Sequence, residues 1–408
     1  MKYIIIFLLY IIGLSDAFSV TFPTLKKNYA IVQNIKVNKL SHTEIDKLKY
    51  LFDIVPVIVF KNQKINPEEY YNFVKIFDEN YNNLTLHPWE KTSPKNVPQI
   101  SIRSNTMINN MYNINNVYGG IGKDISFNYN YKWHQDLVGS SKFLPPVVSS
   151  IYTLVTPSKL NDDTIFVSYE DAYDLIEPKL KKDLLSYNTI NTDSINRIIE
   201  SNCDYMGLRI DKKSNYEDEV FNKQPLVIYS DKKKYRKSLL LNPNRFIKFD
   251  KLNYEDSNDL YRHIMHKYVL KEKNFIVHKW ENNDLCIFNN RKLLHTSSPV
   301  VEYENKDRIF LQCFLGTNES ILAVKYNKNK KTFKNKIENE TIKIQKDIKR
   351  IEEETKKIEE DIIRIEKDAY KIENNTFKKY FTSSNNYSDS HDFDSFKMIN
   401  YQDIIIRD

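Results

Sequence analysis

Short runs of β-branched and aromatic residues, separated by polar and turn-forming residues, recur between Val55 and Gly316. Runs of this length and composition predict β-strands. The clearest are VPVIVFKN, SSIYTLVTP, TIFVS, SLLLNP, LCIFNN and RIFLQCFLG. Only a few helical segments lie between them. Many short strands with few helices predict a mainly β fold with helical insertions, built as a barrel or jelly roll.

Three segments among these strands carry helix signals. Asn66-Pro67-Glu68-Glu69 combines an N-cap residue, a proline at the first helical position and a glutamate three residues after the cap. Ser168 and Asp171 resemble a capping box for the helix YEDAYDLI. A third helix is predicted from about Glu255 to Leu270.

Beyond about residue 326 the chain becomes rich in Lys, Glu and Ile. Isoleucines then recur in a heptad, at Ile337, Ile344, Ile351, Ile358, Ile365 and Ile372, and the companion positions are Thr341, Ile348, Thr355, Ile362 and Ala369. This pattern predicts a long coiled-coil-like helix over residues 326–373. Its apolar seam packs either on its own domain or, over residues 333–373, on other copies in a homo-oligomer. The polar tail 374–408 is predicted to be disordered.

The N-terminus has an early Lys2, an apolar run from Tyr3 to Leu14 and small residues at Ser15-Asp16-Ala17. This pattern predicts a signal peptide over residues 1–17, with entry into the secretory pathway and no stable membrane span after its removal. Because the apolar run is short for a bilayer span, an N-terminal membrane anchor ranks second. The basic segment 18–54 is interpreted as an N-terminal extension that precedes a catalytic domain over residues 55–325.

Charge and cysteine content exclude several functions. The net charge of +7 comes mainly from scattered lysines, without the clustered arginines and aromatic residues of a nucleic-acid groove, so no nucleic-acid partner is expected. The three cysteines, Cys203, Cys286 and Cys313, are far apart. They therefore predict neither a disulfide framework nor a CxxC zinc site.

A candidate metal site begins at Trp133-His134-Gln135-Asp136. On an extended strand His134 and Asp136 point to the same side. Two histidines and one carboxylate on one face of an octahedron leave three positions open for a chelating co-substrate and oxygen, as in non-haem iron(II) oxygenases. His295 follows a predicted strand and supplies a second histidine. Arg308 suits a dicarboxylate co-substrate, because its planar guanidinium binds a carboxylate through two hydrogen bonds.

Together these segments resemble the taurine-dioxygenase-like (TauD/TfdA-type) family of iron(II)/2-oxoglutarate-dependent dioxygenases. The resemblance spans about Val55 to Gly316 and rests on WHQD, DDTIFVSYEDAYDLI, QPLV with KSLLLNP, and WENNDLCIFNNRKLLH followed by DRIF. It implies a double-stranded β-helix (jelly-roll) core, and it implies Fe(II), 2-oxoglutarate and O2 as cofactor and co-substrates. It makes His134, Asp136 and His295 the catalytic iron ligands. It also makes Thr164 and Arg308 the residues that bind the distal carboxylate, Asn130 a co-substrate contact and His87 a substrate contact.

The departures from the family pattern concern substrate and loop conformation. Gln312 stands where the taurine enzyme has the arginine that binds the sulfonate, so the expected substrate is a small polar molecule other than taurine. The family's Gly-Gly-Asp-Thr is Asn161-Asp162-Asp163-Thr164 in this chain. Asp136 is retained where halogenating relatives lack the carboxylate, which favours hydroxylation or oxidative cleavage.

Two alternatives remain open from the sequence. A zinc hydrolase also uses two histidines and an aspartate, but it does not need Arg308 and Thr164 to bind a dicarboxylate. A catalytically degenerate dioxygenase fold, serving as a binding or scaffold protein and oligomerised by the C-terminal helix, fits the altered glycine loop.

Overall fold

The structure is a computed structural model. It describes residues 18–24, 26–120, 131–156, 163–193, 204, 206–208, 221–231, 235–298 and 307–325, with scattered residues between Lys346 and Lys367. The chain forms two compact units, Met1–Tyr326 and Asn327–Asp408.

Short strands make up most of the first unit. In chain order they are β1 (Ser19–Thr21), β2 (Tyr29–Gln33), β3 (Val57–Phe60), β4 (Tyr81–Asn82), β5 (Ile100–Ser104), β6 (Met107–Ile108), β7 (Val117–Tyr118), β8 (Val148–Val155), β9 (Thr164–Ser168), β10 (Asn188–Thr192), β11 (Phe221–Pro225), β12 (Val227–Tyr229), β13 (Lys237–Leu239), β14 (Phe246–Phe249), β15 (Ile276–His278), β16 (Leu285–Asn289), β17 (Leu293–Ser297), β18 (Ile309–Phe314) and β19 (Gly316–Thr317).

The helices are few, and their caps follow the sequence signals. The α-helices are α1 (His42–Ile54), α2 (Pro67–Val74), α3 (Tyr169–Leu175), α4 (Pro178–Leu184) and α5 (Tyr254–Ile264), and α5 continues as a π-helical turn over Met265–Val269. Short 3-10 turns cover Lys75–Phe77, Glu90–Thr92 and Glu272–Asn274. The predicted capping box of α2, between Asn66 and Glu69, is confirmed. Ser168 caps α3 by accepting the Asp171 N–H.

Two sheets form the framework. The larger sheet has the strand order β1-β2-β3-β16-β8-β18-β5, and the smaller has the order β15-β9-β17. Strands β8, β16 and β18 lie in the larger sheet, and strands β9, β15 and β17 lie in the smaller one. The chain therefore crosses repeatedly between the two sheets, which is typical of a jelly roll. The prediction of a mainly β fold with helical insertions is confirmed. The remaining pairs and triples of strands, β11-β10-β14, β12-β13, β19-β4 and β6-β7, lie outside this framework.

The segment 18–54 is part of the β domain, which corrects the predicted domain start at Val55. Strand β1 pairs with β2, and β2 pairs in parallel with β3 of the larger sheet. Helix α1 buries Leu48, Leu51 and Phe52. The lysines that suggested a detached extension lie between these elements, whereas the alternation of the short strands was too brief to be recognised.

The larger sheet has two different faces. Its outer face packs against α1 and α2 in an apolar core that includes Leu48, Phe73, Ile102 and Leu311. Its inner face meets the smaller sheet in a second core, in which Phe288 of β16 lies beside Phe166 of β9. Because side chains alternate along a strand, the neighbours of the outer-face residues on β5 and β18 point inward.

In the second unit, the described residues between Lys346 and Lys367 are helical and exposed. The heptad isoleucines, the predicted signal peptide over 1–17 and the tail 374–408 lie outside the described residues. Within the described part of the chain, each helix is too short or too polar to cross a bilayer.

Candidate metal centre

The structure brings the three predicted iron ligands together. His134 and His295 form an antiparallel bridge, in which the His134 N–H donates to the His295 carbonyl at 2.8 Å and the His295 N–H donates back at 3.0 Å. His295 is the central residue of β17 and pairs with Phe166 of β9. The two imidazole centroids are therefore only 4.1 Å apart. Asp136 lies in the turn that follows His134, and its side chain is buried.

The ligand atoms have the spacing of one face of a coordination shell. Asp136 Oδ1 lies 3.6 Å from His134 Nε2 and 3.7 Å from His295 Nε2. One candidate ligand atom from each residue lies within 4.8 Å of the other two. At metal–ligand distances of about 2.1 Å, neighbouring octahedral ligands stand about 3 Å apart. A small inward movement of each side chain is enough to hold a divalent ion.

Hydrogen bonding prepares His134 as a ligand. Its Nδ1 lies 2.8 Å from the Lys132 carbonyl oxygen, so Nδ1 carries the proton and donates it. The lone pair is thereby left on Nε2, which faces Asp136. About a third of the His134 side chain is exposed, whereas those of Asp136 and His295 are almost fully buried. The site therefore opens to solvent on the His134 side.

The electrostatics of the site also fit a cation. Burial raises the pKa of Asp136, while the charge of His134 and the Ser149 hydroxyl oppose this rise. Burial, reinforced by the charge of His134, lowers the pKa of His295 well below its ordinary value. Among the described residues, no group hydrogen-bonds to Asp136 Oδ2. A buried carboxylate with one oxygen left without a hydrogen-bond partner is stabilised by a bound metal ion.

A buried amide fixes the backbone of Asp136. Asn290 Oδ1 accepts the Asp136 N–H at 2.7 Å, and Asn290 Nδ2 donates to the Asp136 carbonyl at 2.8 Å and to the Pro146 carbonyl at 3.2 Å. Asn290 is fully buried. Its side chain thus pairs with both polar backbone groups of the ligand residue, as a neighbouring strand does elsewhere in a sheet.

A second pair of buried amides extends this contact. Asn242 Nδ2 donates to the carbonyls of Gln135 at 2.8 Å and Val138 at 2.7 Å. The Gln135 side chain donates to the Asn290 carbonyl and accepts the Leu241 N–H. Together Asn290, Asn242 and Gln135 form what we call the amide clamp. The clamp was not predicted, because no local sequence motif marks these three buried amides as a unit.

The two residues predicted to bind the distal carboxylate of 2-oxoglutarate lie in one region. Thr164 begins β9, and its hydroxyl accepts the Trp280 indole N–H at 3.0 Å. Arg308 directly precedes β18 and is buried, with its guanidinium 4.9 Å from the centre of the Phe310 ring. Burial raises the pKa of Asp163, and the positive charges of Lys279, His278 and Arg308 oppose this rise. Arg308 is therefore within electrostatic reach of the residue adjacent to Thr164.

A buried polar network supports Thr164 and Trp280. The Trp280 ring meets the His278 ring edge-on at 4.4 Å. His278 Nδ1 lies 2.9 Å from the Tyr29 hydroxyl, and His278 Nε2 lies 3.3 Å from Asp284 Oδ2. His278 is buried and thus links strand β2 to Trp280 and, through it, to Thr164.

The three predicted substrate or co-substrate contacts have different positions. Gln312 lies on the inner face of β18, opposite Ser101 of β5. His87 is buried, with Nε2 at 2.9 Å from the Pro98 carbonyl and Nδ1 accepting the Trp89 N–H at 3.3 Å. Both of its ring nitrogens thus have partners within the protein, and its substrate role stays a prediction. Asn130 lies outside the described residues.

Comparisons with known proteins agree with this geometry. The family model for taurine catabolism dioxygenase TauD, TfdA family, matches residues 23–314. Among solved structures, a taurine dioxygenase from Burkholderia xenovorans superposes with a TM-score of 0.54 at 13% identity, covering 77% of this chain and 96% of the other. AAD-2, solved in complex with Mn(II) and N-oxalylglycine, superposes with a TM-score of 0.52 at 18% identity, covering 76% of this chain and 100% of the other. At these identities the structural likeness shows the fold alone. Among curated proteins, none matches this sequence significantly.

Proposed function

Because the chain belongs to the TauD/TfdA family of dioxygenases, we propose that it is an iron(II)- and 2-oxoglutarate-dependent dioxygenase. It hydroxylates or oxidatively cleaves a small polar organic substrate and releases succinate and CO2. The observation that carries the proposal is the convergence of His134, Asp136 and His295 on one point, with ligand atoms 3.6 and 3.7 Å apart. Two histidines and one carboxylate are the ligand set of non-haem iron(II) oxygenases.

Each residue of the site has a separate role. His134, Asp136 and His295 hold iron(II), which when bound supplies oxygen activation coupled to decarboxylation of 2-oxoglutarate. Arg308 binds the distal carboxylate of 2-oxoglutarate, since a guanidinium and a carboxylate form a charge-assisted pair. The Thr164 hydroxyl donates a hydrogen bond to the same carboxylate while it accepts one from Trp280.

Taurine is not the proposed substrate. At the position where the taurine enzyme has its sulfonate-binding arginine, the neutral amide of Gln312 cannot offset the desolvation of a sulfonate. We therefore expect no stimulation of succinate release by taurine. Stimulation comparable to that of a dedicated taurine enzyme would show that another cation binds the sulfonate.

The test compares the wild-type protein with His134→Ala. The wild-type protein should bind one Fe(II) and convert 2-oxoglutarate to succinate slowly without substrate and faster with the right one. His134→Ala should lose metal binding and turnover while keeping its circular dichroism spectrum, because this partly exposed side chain lines the site and does not fill the core. Iron binding without succinate formation in the wild-type protein would instead favour the catalytically degenerate scaffold. Full turnover in His134→Ala would refute the site.

The location of the protein is part of the proposal. The sequence of residues 1–17 supports a cleaved signal peptide and entry into the secretory pathway. N-terminal sequencing of the protein from its natural source tests this, since a mature chain that begins near Phe18 is expected. A retained Met1 in a membrane fraction would favour the anchor instead.

A further inference from the structure

Arg103 is an arginine on the inner face of the larger sheet that has no carboxylate partner in the described ranges. It lies on β5 between Ile102 and Ser104, and Ile102 packs in the apolar core with α1 and α2. Because side chains alternate along a strand, Arg103 points the opposite way, toward the smaller sheet. Its cross-strand partner on β18 is Phe310, which the Arg308 guanidinium contacts. Arg103 therefore shares a face with the residue proposed to bind 2-oxoglutarate.

The same face carries the metal centre. Phe288 of β16 contacts the ligand His295, with ring centroids 4.9 Å apart. Phe288 pairs with Ser149 of β8. Ser149 in turn pairs with Phe314 of β18. The inner face of the sheet thus runs from the metal ligands across β8 and β18 to β5.

Arg103 is a diagonal neighbour of Gln312. Gln312 pairs with Ser101, and Arg103 is two residues further along the same strand. Diagonal neighbours on paired strands lie about 7–8 Å apart, within reach of a long side chain. A positive charge is therefore present close to Gln312, but on the neighbouring strand and displaced along it.

The guanidinium is held in a fixed orientation. Its carbon lies 3.7 Å from the centre of the Trp89 ring, and Trp89 stacks on His87 at 5.9 Å and 11°. One nitrogen donates to the Gly120 carbonyl at 2.9 Å. Stacking on an indole and one hydrogen bond restrict the side chain but leave most of its N–H donors available.

Burial makes this cation costly without an anion. It lowers the pKa of Arg103 to about 10, although the Tyr118 phenol opposes the fall. Burial and the charge of Arg103 also lower the pKa of His87, while its hydrogen bond to Pro98 opposes this, so protonation of His87 beside the guanidinium is disfavoured. A partly buried, oriented and desolvated guanidinium binds a carboxylate or sulfonate more strongly than an exposed one does.

We propose that Arg103, presented on Trp89, binds an anionic group of the substrate, a carboxylate or a sulfonate. This inference rests on the proposed function, since it names the substrate class of that site. It places the anion beside β5, a strand away from Gln312, so the substrate approaches the metal centre from a different anchor point than a molecule bound at position 312.

The test is arginine modification by phenylglyoxal, followed by mass spectrometry, on the full-length protein loaded with Mn(II) and saturating 2-oxoglutarate. The probes are two pairs of similar shape, acetate with acetamide and methanesulfonate with dimethyl sulfone, at constant ionic strength. Saturating acetate or methanesulfonate should slow modification of Arg103 about tenfold, as expected when an anion occupies about nine-tenths of the sites. The neutral compounds should leave it unchanged, and the relative protection by the two anions identifies the preferred group. Arg236, which is exposed and pairs with Glu170, is the internal control.

The outcomes separate the two proposals. An Arg103 that is unreactive, or that is protected equally by neutral and anionic probes, overturns the anion site. Protection of Arg308 by 2-oxoglutarate, measured in the same digest, reports on the proposed function by itself.

A second measurement screens matched acids and amides for stimulated succinate release. The best stimulator should be an acid whose kcat/KM falls at least about tenfold in Arg103→Gln, as expected for loss of a charge-assisted pair, and stays unchanged in Arg236→Gln. A neutral best stimulator that Arg103→Gln does not affect overturns the inference.

Discussion

Asn290→Ala tests whether the amide clamp controls metal binding as well as stability. The substitution removes three hydrogen bonds, two to the backbone of Asp136 and one to the Pro146 carbonyl. It leaves three buried polar groups without these partners. Each such group costs about 1–3 kcal/mol, so we expect a loss of about 3 kcal/mol or more in the free energy of unfolding.

The effect on the metal follows from the same contacts. Asp136 is the ligand whose backbone Asn290 holds, and loss of supporting hydrogen bonds around a metal ligand typically lowers affinity about 10- to 100-fold. That range corresponds to about 1.4–2.7 kcal/mol. Asn290→Asp is a shape-matched variant that keeps the acceptor for the Asp136 N–H but turns an oxygen toward the two carbonyls. It should therefore be impaired as well.

The assay is a Co(II) titration of the metal-free protein followed by visible absorption, alongside urea unfolding in the presence of a chelator. Asn188→Ala is the control, because Asn188 lies on the separate sheet β11-β10-β14 and its side-chain amide donates a hydrogen bond to Asp250. It should lower stability by about 1 kcal/mol and leave Co(II) affinity unchanged. If Asn290→Ala loses stability but binds Co(II) as tightly as the wild-type protein, the clamp supports the fold and does not position the ligand.

Three further predictions follow from the site and the second unit. Arg308→Ala should weaken 2-oxoglutarate binding to the Mn(II)-loaded protein by at least about 1.5 kcal/mol while Mn(II) affinity persists, and unchanged calorimetric affinity for 2-oxoglutarate would place its carboxylate elsewhere. Burial raises the pKa of Asp136 in the folded protein above its value in the unfolded chain. Ionisation of this carboxyl group therefore lowers the stability of the folded protein as the pH rises from the unfolded-state pKa through the folded-state pKa. At neutral pH the free energy of unfolding of metal-free Asp136→Asn should accordingly exceed that of the metal-free wild-type protein by about 1 kcal/mol or more. Below the pKa of Asp136 in the unfolded chain this gain should vanish. An equal or lower stability of the variant at neutral pH contradicts the prediction. Truncation after Tyr326 should yield a smaller species by light scattering that still turns over 2-oxoglutarate, since the heptad seam is proposed to join copies of the chain; equal monomeric masses would mean that the helix packs on its own domain.

Part of this protein could be predicted from the sequence because the relevant signals are local. Short runs of β-branched and aromatic residues predicted the mainly β fold, and Asn66 with Glu69 predicted the cap of α2, which the structure confirms. The short spacing of His134 and Asp136 marked a candidate pair of ligands. Such features can be predicted because each depends on side-chain chemistry within a few residues.

Other features depend on contacts between distant parts of the chain. Asn290 and Asp136 are 154 residues apart. The side-chain amide of Asn290 binds backbone groups that every residue carries, so the sequence around Asp136 does not predict this contact. The incorporation of the segment 18–54 into the larger sheet was missed because its strands are short and become stable only when paired with β3.

Arg103 shows most clearly what the tertiary structure alone decides. In the sequence it is one of many scattered cations, whereas in the fold it is partly buried, stacked on Trp89 and diagonal to Gln312. Its significance comes from the strand register, which selects the face of the sheet it occupies, and from desolvation, which strengthens its interaction with an anion. The amino-acid sequence by itself determined which residues can carry the chemistry. Only the packing of the two sheets decided which of them meet, because register and burial are properties of paired strands and not of any one segment.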